Sequence, residues 1–573
     1  MKDKIFKTKI FPVILAISLN FQAFERSLPV MATPNQKSKR AFISVFDKSN
    51  LEPLAMSLIE QYGYELLATG GTYQFLKDKG LAVQDTSDIT GFTELLGGRV
   101  KSLHPEIFAG ILAERSKADH TVPFYIDVVV VNLYPFESEQ NTPQAKQDPH
   151  HLLHFIDIGG SALIRAAAKN WPDVAVLCNP SQYDSFLLEL SAHQGKLSDS
   201  FKKYLAQAAF QRSVQYDTAI SQYLAQDSQG AQTSEENATL PNTVQLNLQQ
   251  IQTLRYGENP HQQAALYGLN TNQPDFTLLS GKELSFNNIL DMQAGWNLVM
   301  EFHQVSNTNE TETNENEPSA CAIIKHNNPC GVALSNISLF DAYEKAFDCD
   351  PLSAFGGVVA FNQSVDAKTA TQMKEVFLEV IIAPDFEPEA IEVLSAKKNL
   401  RLVKRPISTN SETTERQEWK QVSEHLFLLQ TQPLHATQQI FEAQGGTLSW
   451  MTNTKPTPQQ IEDMRFAWKV VKHVKSNGIV LAKNGKTVGI GCGQTSRIGA
   501  LEIALKQACD EAKDAVMASD GFFPAVDNIH AAAQARVGAI IQPGGSIKDK
   551  DVVDLANQYQ LPMAMTQIRE FKH

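Results

Sequence analysis

The stretch IDVVVVNLYPF (126–136) places four consecutive valines between an aspartate and an asparagine. A continuous β-branched run of this kind fits a strand covered on both faces, the usual state of a parallel sheet. Working outward, AFISVF (41–46), ELLATGG (65–71) and DVAVLCNP (173–180) are further strand-like runs. The helical segments LEPLAMSLIEQYG (51–63) and TYQFLKDKG (72–80) alternate with them, and Phe201 to Leu224 closes the region as a helix. Strands separated by helix-length segments indicate βαβ units and an α/β domain. The polar, Gly- and Pro-bearing stretch 226–243 then reads as a linker. From 244 to 573 strand-like and helical runs continue between polar insertions. SNTNETETNENE (306–317) is expected to be a disordered surface loop, with STNSETTERQEWK (408–420) a weaker example.

The organisation expected is therefore an extension over 1–40, an α/β domain over 41–225, the linker, and a second region over 244–573. The leading residues place Lys2, Lys4, Lys7 and Lys9 before an apolar run from Ile10 to Leu19. That run is too short for a bilayer, which needs about 20 residues. No small-residue cleavage site follows it, so an upstream extension or mispredicted start is preferred to a secretory signal. There is no short repeat period and no transmembrane-length run.

Among 573 residues, 43 % are hydrophobic and 20 % charged, which excludes a disordered or fibrous chain. Lys plus Arg is 50 and Asp plus Glu is 63, giving a formal charge of −13. Such a balance argues against a nucleic-acid binder, because that affinity rests on many basic phosphate contacts. A small anion in a local basic pocket remains compatible with it. Six scattered cysteines, with no CxxC pair, suit reduced cytosolic thiols and offer neither a disulfide framework nor a structural zinc site.

In open α/β sheets, ligands sit beyond the carboxyl ends of strands, where helix N-termini present free N–H groups. Several loops of the first domain carry suitable chemistry there. Asp47-Lys48-Ser49 follows the first strand, and Thr69-Gly70-Gly71-Thr72 follows the second. Arg99-Val100-Lys101-Ser102 adds two cations and a hydroxyl, and Asn132 ends the valine strand. Asp157-Ile158-Gly159-Gly160-Ser161 opens a helix bearing Arg165 and Lys169 on one face. Any one of these could be an ordinary turn or a solvated helix edge. Their repetition at strand ends is what suggests a phosphate ligand.

The segments SVFDKSNL (44–51), ATGGT (68–72), GGRVKSLHP (97–105), NLYPF (132–136) and IDIGGSALIRAAAKN (156–170) closely resemble the IMP cyclohydrolase half of the bifunctional purine-biosynthesis enzymes. The second region resembles the other half, AICAR transformylase. It does so through LRYGENPHQ (254–262), GKELSFNNILD (281–291), KHNNPCG (325–331), SAFGGVVA (353–360), VKSNGIVLAKNGKTVGIGCGQTSRIGA (474–500), SDGFFPAVDNI (519–529) and QPGGSIKD (542–549). The resemblance implies a methylglyoxal-synthase-like parallel-sheet domain followed by two cytidine-deaminase-like α/β subdomains. It also implies a cytoplasmic homodimer acting on AICAR, formyl-AICAR and IMP, with 10-formyltetrahydrofolate as cosubstrate. No metal, nucleic-acid or membrane partner is expected.

Formyl transfer to AICAR asks for a proton acceptor, because the amine is conjugated and weakly nucleophilic, and for a donor to the developing oxyanion. By resemblance His326 moves the proton, Lys325 assists at the formyl carbonyl and Asn477 orients the reacting groups. The resemblance assigns Arg255, Tyr256, Gly356, Glu379, Arg497, Phe522 and Arg569 to AICAR, and Ile498, Asp527, Ser546 and Ile547 to the folate. Zinc deaminases carry H-x-E and P-C-x-x-C; here Ala333 stands where the second cysteine would be, and no HxE lies upstream.

Ring closure needs an oxyanion stabilised and a proton moved. The resemblance gives proton transfer to Lys169, with Tyr134 and Asp157 in loops expected to converge on the same site. Lys48, Thr69 to Thr72, Arg99, Val100, Lys101, Ser102, Asn132 and Gly159 complete the expected nucleotide contacts. Phe46 stands where the family commonly has a small hydroxyl residue. A regulatory nucleotide-binding protein is the competing reading; Lys325, His326, Asn477 and Lys169 together favour an enzyme.

Overall fold

The computed structural model describes residues 38–92, 102–117, 122–229, 240, 243–244, 246–269, 271, 273–303, 317–407, 416–432, 440–441 and 448–573. The expectations for the leading extension, for Arg99, Val100 and Lys101, for most of the linker and for nearly all of 306–317 lie outside the described residues. The chain divides into two compact units, one up to Leu246 and one from Asn247 to His573.

The first unit is built on β1 (Lys39–Val45), β2 (Tyr64–Ala68), β3 (Val83–Asp85), β4 (Val128–Asn132) and β5 (Ala175–Leu177). All pair in parallel in the order β3-β2-β1-β4-β5. Val128, Val129, Val130 and Val131 are buried because helices cover both faces. Those helices include α1 (Leu51–Glu60), α2 (Gly70–Asp78), α3 (Pro105–Leu112), α4 (Ile158–Lys169), α5 (Tyr183–Ala192) and α6 (Asp199–Gln229). Strand order reverses between β1 and β4, so their carboxyl ends diverge into the crevice where such sheets hold ligands.

The second unit contains the hairpin β6 (Leu248–Leu254) and β7 (Ala264–Leu269), and a sheet of twelve strands. Its first half runs β8 (Thr277–Ser280), α7 (Phe286–Met300), β9 (Ser319–Lys325), β10 (Asn328–Ser335), α8 (Leu339–Cys349), β11 (Val358–Phe361), α9 (Ala367–Lys374), β12 (Val380–Ala383), α10 (Pro388–Ser395) and β13 (Arg401–Lys404). After the hairpin β14 (Arg416–Gln421) and β15 (Phe427–Gln432) the same series returns. It comprises β16 (Ser449–Trp450), α11 (Pro458–Val471), β17 (Ile479–Lys483), β18 (Lys486–Gly491), α12 (Arg497–Ala508), β19 (Val516–Ser519), α13 (Asp527–Gln534), β20 (Ala539–Gln542), α14 (Asp549–Gln558) and β21 (Met563–Met565).

Pairing directions repeat with the elements. β9 is antiparallel to β10 and β11, and β11, β12 and β13 run parallel; β17, β18, β19, β20 and β21 repeat that pattern. The two halves join where β10 meets β18 antiparallel, at Ala333 and Lys486. Glycine recurs at matching close approaches. A Cβ on Gly331 would lie 1.9 Å from the Ala346 carbonyl oxygen, and one on Gly489 2.2 Å from that of Ala504. Only glycine lets α8 and α12 settle this near their strands.

One expectation is corrected. Residues 416–420 belong to β14, not to a loop, because FLLQTQ of β15 supplies the apolar cross-strand partners, Trp419 lying opposite Leu429.

Candidate active sites

In the first unit, Val45 and Asn132 are register partners, so the loops after β1 and β4 leave one edge together. Asn132 Oδ1 accepts the N–H groups of Phe46 at 2.6 Å and Asp47 at 2.9 Å, while its Nδ2 donates to the Asp47 carbonyl at 2.8 Å. Asn132 thereby shapes the loop that carries the half-buried Lys48. Thr69 Oγ1 lies 3.0 Å from Ser44 Oγ, and Thr72 Oγ1 accepts from Val45 N at 3.0 Å. Both threonines are buried, so their hydroxyls anchor α2 to β1. What the start of α2 offers an anion is backbone, at Gly70 and Gly71, where the Gly71 Cβ position has open space.

Across the crevice, the Asp157 side chain accepts the Gly160 N–H at 2.7 Å and caps α4. A Cβ on Gly159 would stand 2.6 Å from Ser102 Oγ, which brings Ser102 against the start of the same helix. Burial, then the charge of Asp157, raises the Tyr134 phenol above its ordinary value. The Phe46 ring meets Tyr134 edge-on at 5.6 Å, an apolar wall at the mouth of the crevice. Lys169 is not brought to this group, which corrects the expected convergence. It ends α4, whereas Asp157 caps the start, and at about 1.5 Å per residue a twelve-residue helix separates them by about 18 Å. Its neighbour Asn170 bonds the Ile111 and Ala113 carbonyls, near the amino ends of β4 and β5.

In the second unit, β9 and β10 are joined by a tight turn in which His326 (φ 52°) and Asn327 (φ 61°) both adopt left-handed backbone. His326 is exposed at its tip. Lys325 Nζ donates to the Phe355 carbonyl at 2.8 Å, beside Gly356, whose φ of 73° favours glycine. Glu379 follows through its N–H to the Gly357 carbonyl at 3.0 Å. These residues share the carboxyl end of β9 and the segments next to it.

The other half supplies Asn477, which lies close to the turn because Asn328 Oδ1 accepts the Lys475 N–H at 3.1 Å. The Asn477 side chain is held by two bonds: its Nδ2 donates to the Gln494 carbonyl at 2.8 Å, and its Oδ1 accepts from Arg497 Nη2 at 2.7 Å. Arg497 is itself buried, bonding Ser519 Oγ at 2.9 Å and pairing with the fully buried Asp520. Its charge is therefore locally compensated, and its clearest role in the structure is to orient Asn477. The 569–572 tail runs alongside, with Arg569 stacked over Phe571 at 4.4 Å and Phe571 against Gly521, next to Phe522.

Arg255 stacks over Tyr256 at 4.7 Å and opens onto a cleft of about 240 Å³ lined by Arg255, Lys282, Glu283, Leu284, Ser285 and Arg401. Arg401 Nη1 holds Glu379 Oε2 at 2.7 Å, which ties Glu379 to this basic cleft. The sequence reading missed Lys282, Arg401, Asp520 and Asp291. Lys282 and Asp291 sit in GKELSFNNILD and Asp520 in SDGFFPAVDNI, motifs already quoted, but no spacing signal marks Arg401. Ile498 is the second residue of α12, Asp527 begins α13, and Ser546 and the wholly exposed Ile547 lie in the loop before α14. Among the described residues, no group of three His, Cys, Asp or Glu side chains could hold a metal. No helix among them is long and apolar enough to cross a membrane.

A doubly wound domain is followed by a duplicated sheet that presents Lys325 and His326 near a fixed Asn477, a frame suited to an α/β enzyme with two sites. The chain belongs to the AICARFT/IMPCHase bienzyme family, whose model matches residues 167–507, with an MGS-like domain matching 50–161. It is 43 % identical over 546 residues to the bifunctional purine biosynthesis protein PurH of Prochlorococcus marinus (strain MIT 9312), covering 94 % of this chain and 100 % of the relative. The protein of the same name from Oceanobacillus iheyensis is 42 % identical over equal shares. That from Trichodesmium erythraeum is 44 % identical, covering 93 % of this chain and 99 % of its own. The protein is a bifunctional enzyme of purine biosynthesis that transfers a formyl group to AICAR and cyclises formyl-AICAR to IMP with loss of water.

Proposed function

We propose that formyl transfer takes place at the His326 turn, with 10-formyltetrahydrofolate as donor. The observation that carries this reading is the 3.1 Å bond between Asn328 and Lys475, which sets the Lys325-His326 turn beside Asn477. His326 accepts the proton released as the AICAR amine attacks the formyl carbon. Lys325 and Asn477 donate to the carbonyl oxygen as it gains charge, and collapse of the tetrahedral species expels the donor nitrogen, which regains a proton. Arg255, Tyr256, Gly356, Glu379, Arg497, Phe522 and Arg569 surround the nucleotide; the cleft at Arg255 supplies positive charge for its phosphate. Ile498, Asp527, Ser546 and Ile547 offer an aliphatic face and a carboxylate, which suits a flat, amine-bearing pterin. An isoleucine exposed as fully as Ile547 needs a second wall to grip a ligand, which favours a homodimer completing the site. The six free cysteines and the small soluble substrates favour the cytoplasm.

Cyclisation belongs to the crevice between β1 and β4. The carboxamide nitrogen attacks the formyl carbon, ring closure forms the C–N bond, and water leaves. Gly70, Gly71, Thr69, Thr72, Lys48 and Ser102 would hold the phosphate end, together with the Arg99-Val100-Lys101 segment, while Asn132 and Gly159 shape the walls. Tyr134 and Asp157, close enough for the carboxylate to raise the phenol, would handle the proton. Lys169 is the resemblance's choice for that task.

Two assays test the whole reading. His326→Ala should lower formyl transfer by about 10²-fold or more while cyclisation of supplied formyl-AICAR continues. Wild-type transfer would remove His326 from its role. Asp157→Asn and Tyr134→Phe should each slow cyclisation alone. Loss of cyclisation in Lys169→Ala would support its assignment; an unchanged rate would leave the proton to the Tyr134–Asp157 pair.

A further inference from the structure

We propose that Asp291 is a positioning residue for formyl transfer: its carboxylate clamps the turn that carries His326. The inference rests on the reading of His326 as the proton acceptor. Asp291 is the sixth residue of α7, and its Oδ1 accepts the Asn327 N–H at 2.7 Å. With its nitrogen turned inward, the orientation that pairs donors with acceptors here, the Asn327 carboxamide donates to the same Oδ1 at 3.3 Å and to the Leu290 carbonyl at 3.1 Å. Two successive residues in left-handed backbone, neither of them glycine, do not hold that shape without support. The carboxylate supplies it, tying the turn to a fifteen-residue helix whose position is fixed by packing against β9 and β11.

The duplication provides an independent observation. Asp463 is the sixth residue of α11, and it accepts the N–H groups of Asn484 at 3.0 Å and Gly485 at 2.9 Å. Those residues form the turn between β17 and β18, again with left-handed backbone at both positions, φ 54° and 70°. An aspartate at the same helix position, on the same turn, in both halves is a device of the architecture and not an accident of one loop. In the second half the turn carries no reactive side chain. In the first it carries His326, so the same clamp fixes where the imidazole points. Burial raises the Asp291 carboxyl, while the Asn327 N–H and a charged His326 favour its ionised form.

The test uses the intact protein and both halves. Asp291→Ala should lower kcat for formyl transfer by about 10²-fold, the scale of an ångström-level misplacement, with KM for AICAR changed less than about threefold. Cyclisation of supplied formyl-AICAR should be unchanged. Asp463→Ala loosens the matching turn and should leave formyl-transfer kcat within about twofold. Asp291→Asn keeps the shape and one acceptor, and should recover most of the rate; it also serves if the alanine variant fails to fold. In a double-mutant cycle, Asp291→Ala should have no further effect on kcat once His326 is alanine. Equal kcat losses in the Asp291 and Asp463 variants, or full additivity with His326→Ala, would overturn the inference. If His326→Ala transfers formyl normally, the proton-acceptor reading itself fails. If that variant is inactive while Asp291→Ala is normal, only the clamp fails.

Discussion

The turn between β9 and β10 and the turn between β17 and β18 share a backbone and differ in residues. Both place two consecutive residues at positive φ, and both are capped by an aspartate one and a half turns into the preceding long helix. The second uses Asn484-Gly485, the pair that a two-residue hairpin of this kind favours most. The first uses His326-Asn327, which that geometry tolerates less well. The comparison teaches that the fold asks only for a tight reversal here. The less favourable residues in the first half are what the proposed role of His326 would require, the usual relation between backbone strain and function.

The largest effect that separates the two turns is kinetic. Exchanging His326 and Asn327 for Asn-Gly should abolish formyl transfer, by about 10²-fold or more, while Asn484→Ala alters it little. Steady-state assays on both variants decide this, and equal losses would end the distinction. The next test asks whether the halves are equally packed. Gly331→Ala and Gly489→Ala should each lower stability by about 1–3 kcal/mol, because a methyl would collide with a helix carbonyl in either half. Denaturant midpoints with unchanged slopes would show it; one tolerant site and one intolerant site would show that the halves have drifted apart in packing.

A pH test addresses the bridge between the mirror helices. Glu301, just past α7, bonds Lys472 at 2.8 Å and His473 at 3.1 Å, both just past α11. Burial works to raise the Glu301 carboxyl, but His473 and Lys472 outweigh it and hold it at about 2, against an ordinary 4.5. A carboxyl depressed on folding adds stability above its unfolded value, which is lost as pH falls through the folded one. Glu301→Gln should therefore lower Tm at pH 7, and the gap should narrow as pH falls from about 4.5 toward about 2. A gap independent of pH would place the effect in packing. The smallest expected effect is again at the turn: the His326→Asn, Asn327→Gly protein should gain about 1 kcal/mol as left-handed strain is relieved. A loss of stability would show that the bonds of the Asn327 carboxamide outweigh the strain relieved.

Much of the first unit was legible because its signals are local. IDVVVVNLYPF reads as a doubly covered strand from its valines alone, whereas Gly70, Gly71 and Thr72, expected in a loop, form the first turn of α2. Lys169 shows where such reading stops. Arg165 and Lys169 do share a helix face, but grouping Lys169 with Asp157 overlooks the length of the helix between them. The duplication was hidden for a related reason. Strands such as CAII, IVLA, VVAF and VMAS are too short to carry a repeat signature, and the matched turns share only an asparagine, at different positions. Asp291 and Asp463 acquire meaning from helices folding back over hairpins far along the chain, and Arg401 from meeting Glu379. The strand at 416–421 became visible only with its partner β15. Phe46 was legible as a departure, and the structure gives it a neighbour in Tyr134.

The antiparallel seam at Ala333 and Lys486 has a further consequence. Cut there, each half would expose β10 or β18 as an open strand with unpaired N–H and C=O groups, a template for adhesion to any other strand. Joined, each strand is the other's cover. Val332 and Thr487 lock the seam through a 2.9 Å bond, and Leu334 reaches the Gly485 carbonyl at 2.8 Å. The seam has the form of an isologous contact between like subunits, written into one chain. Neither half is a module that could be lent to another protein without first being given a new edge.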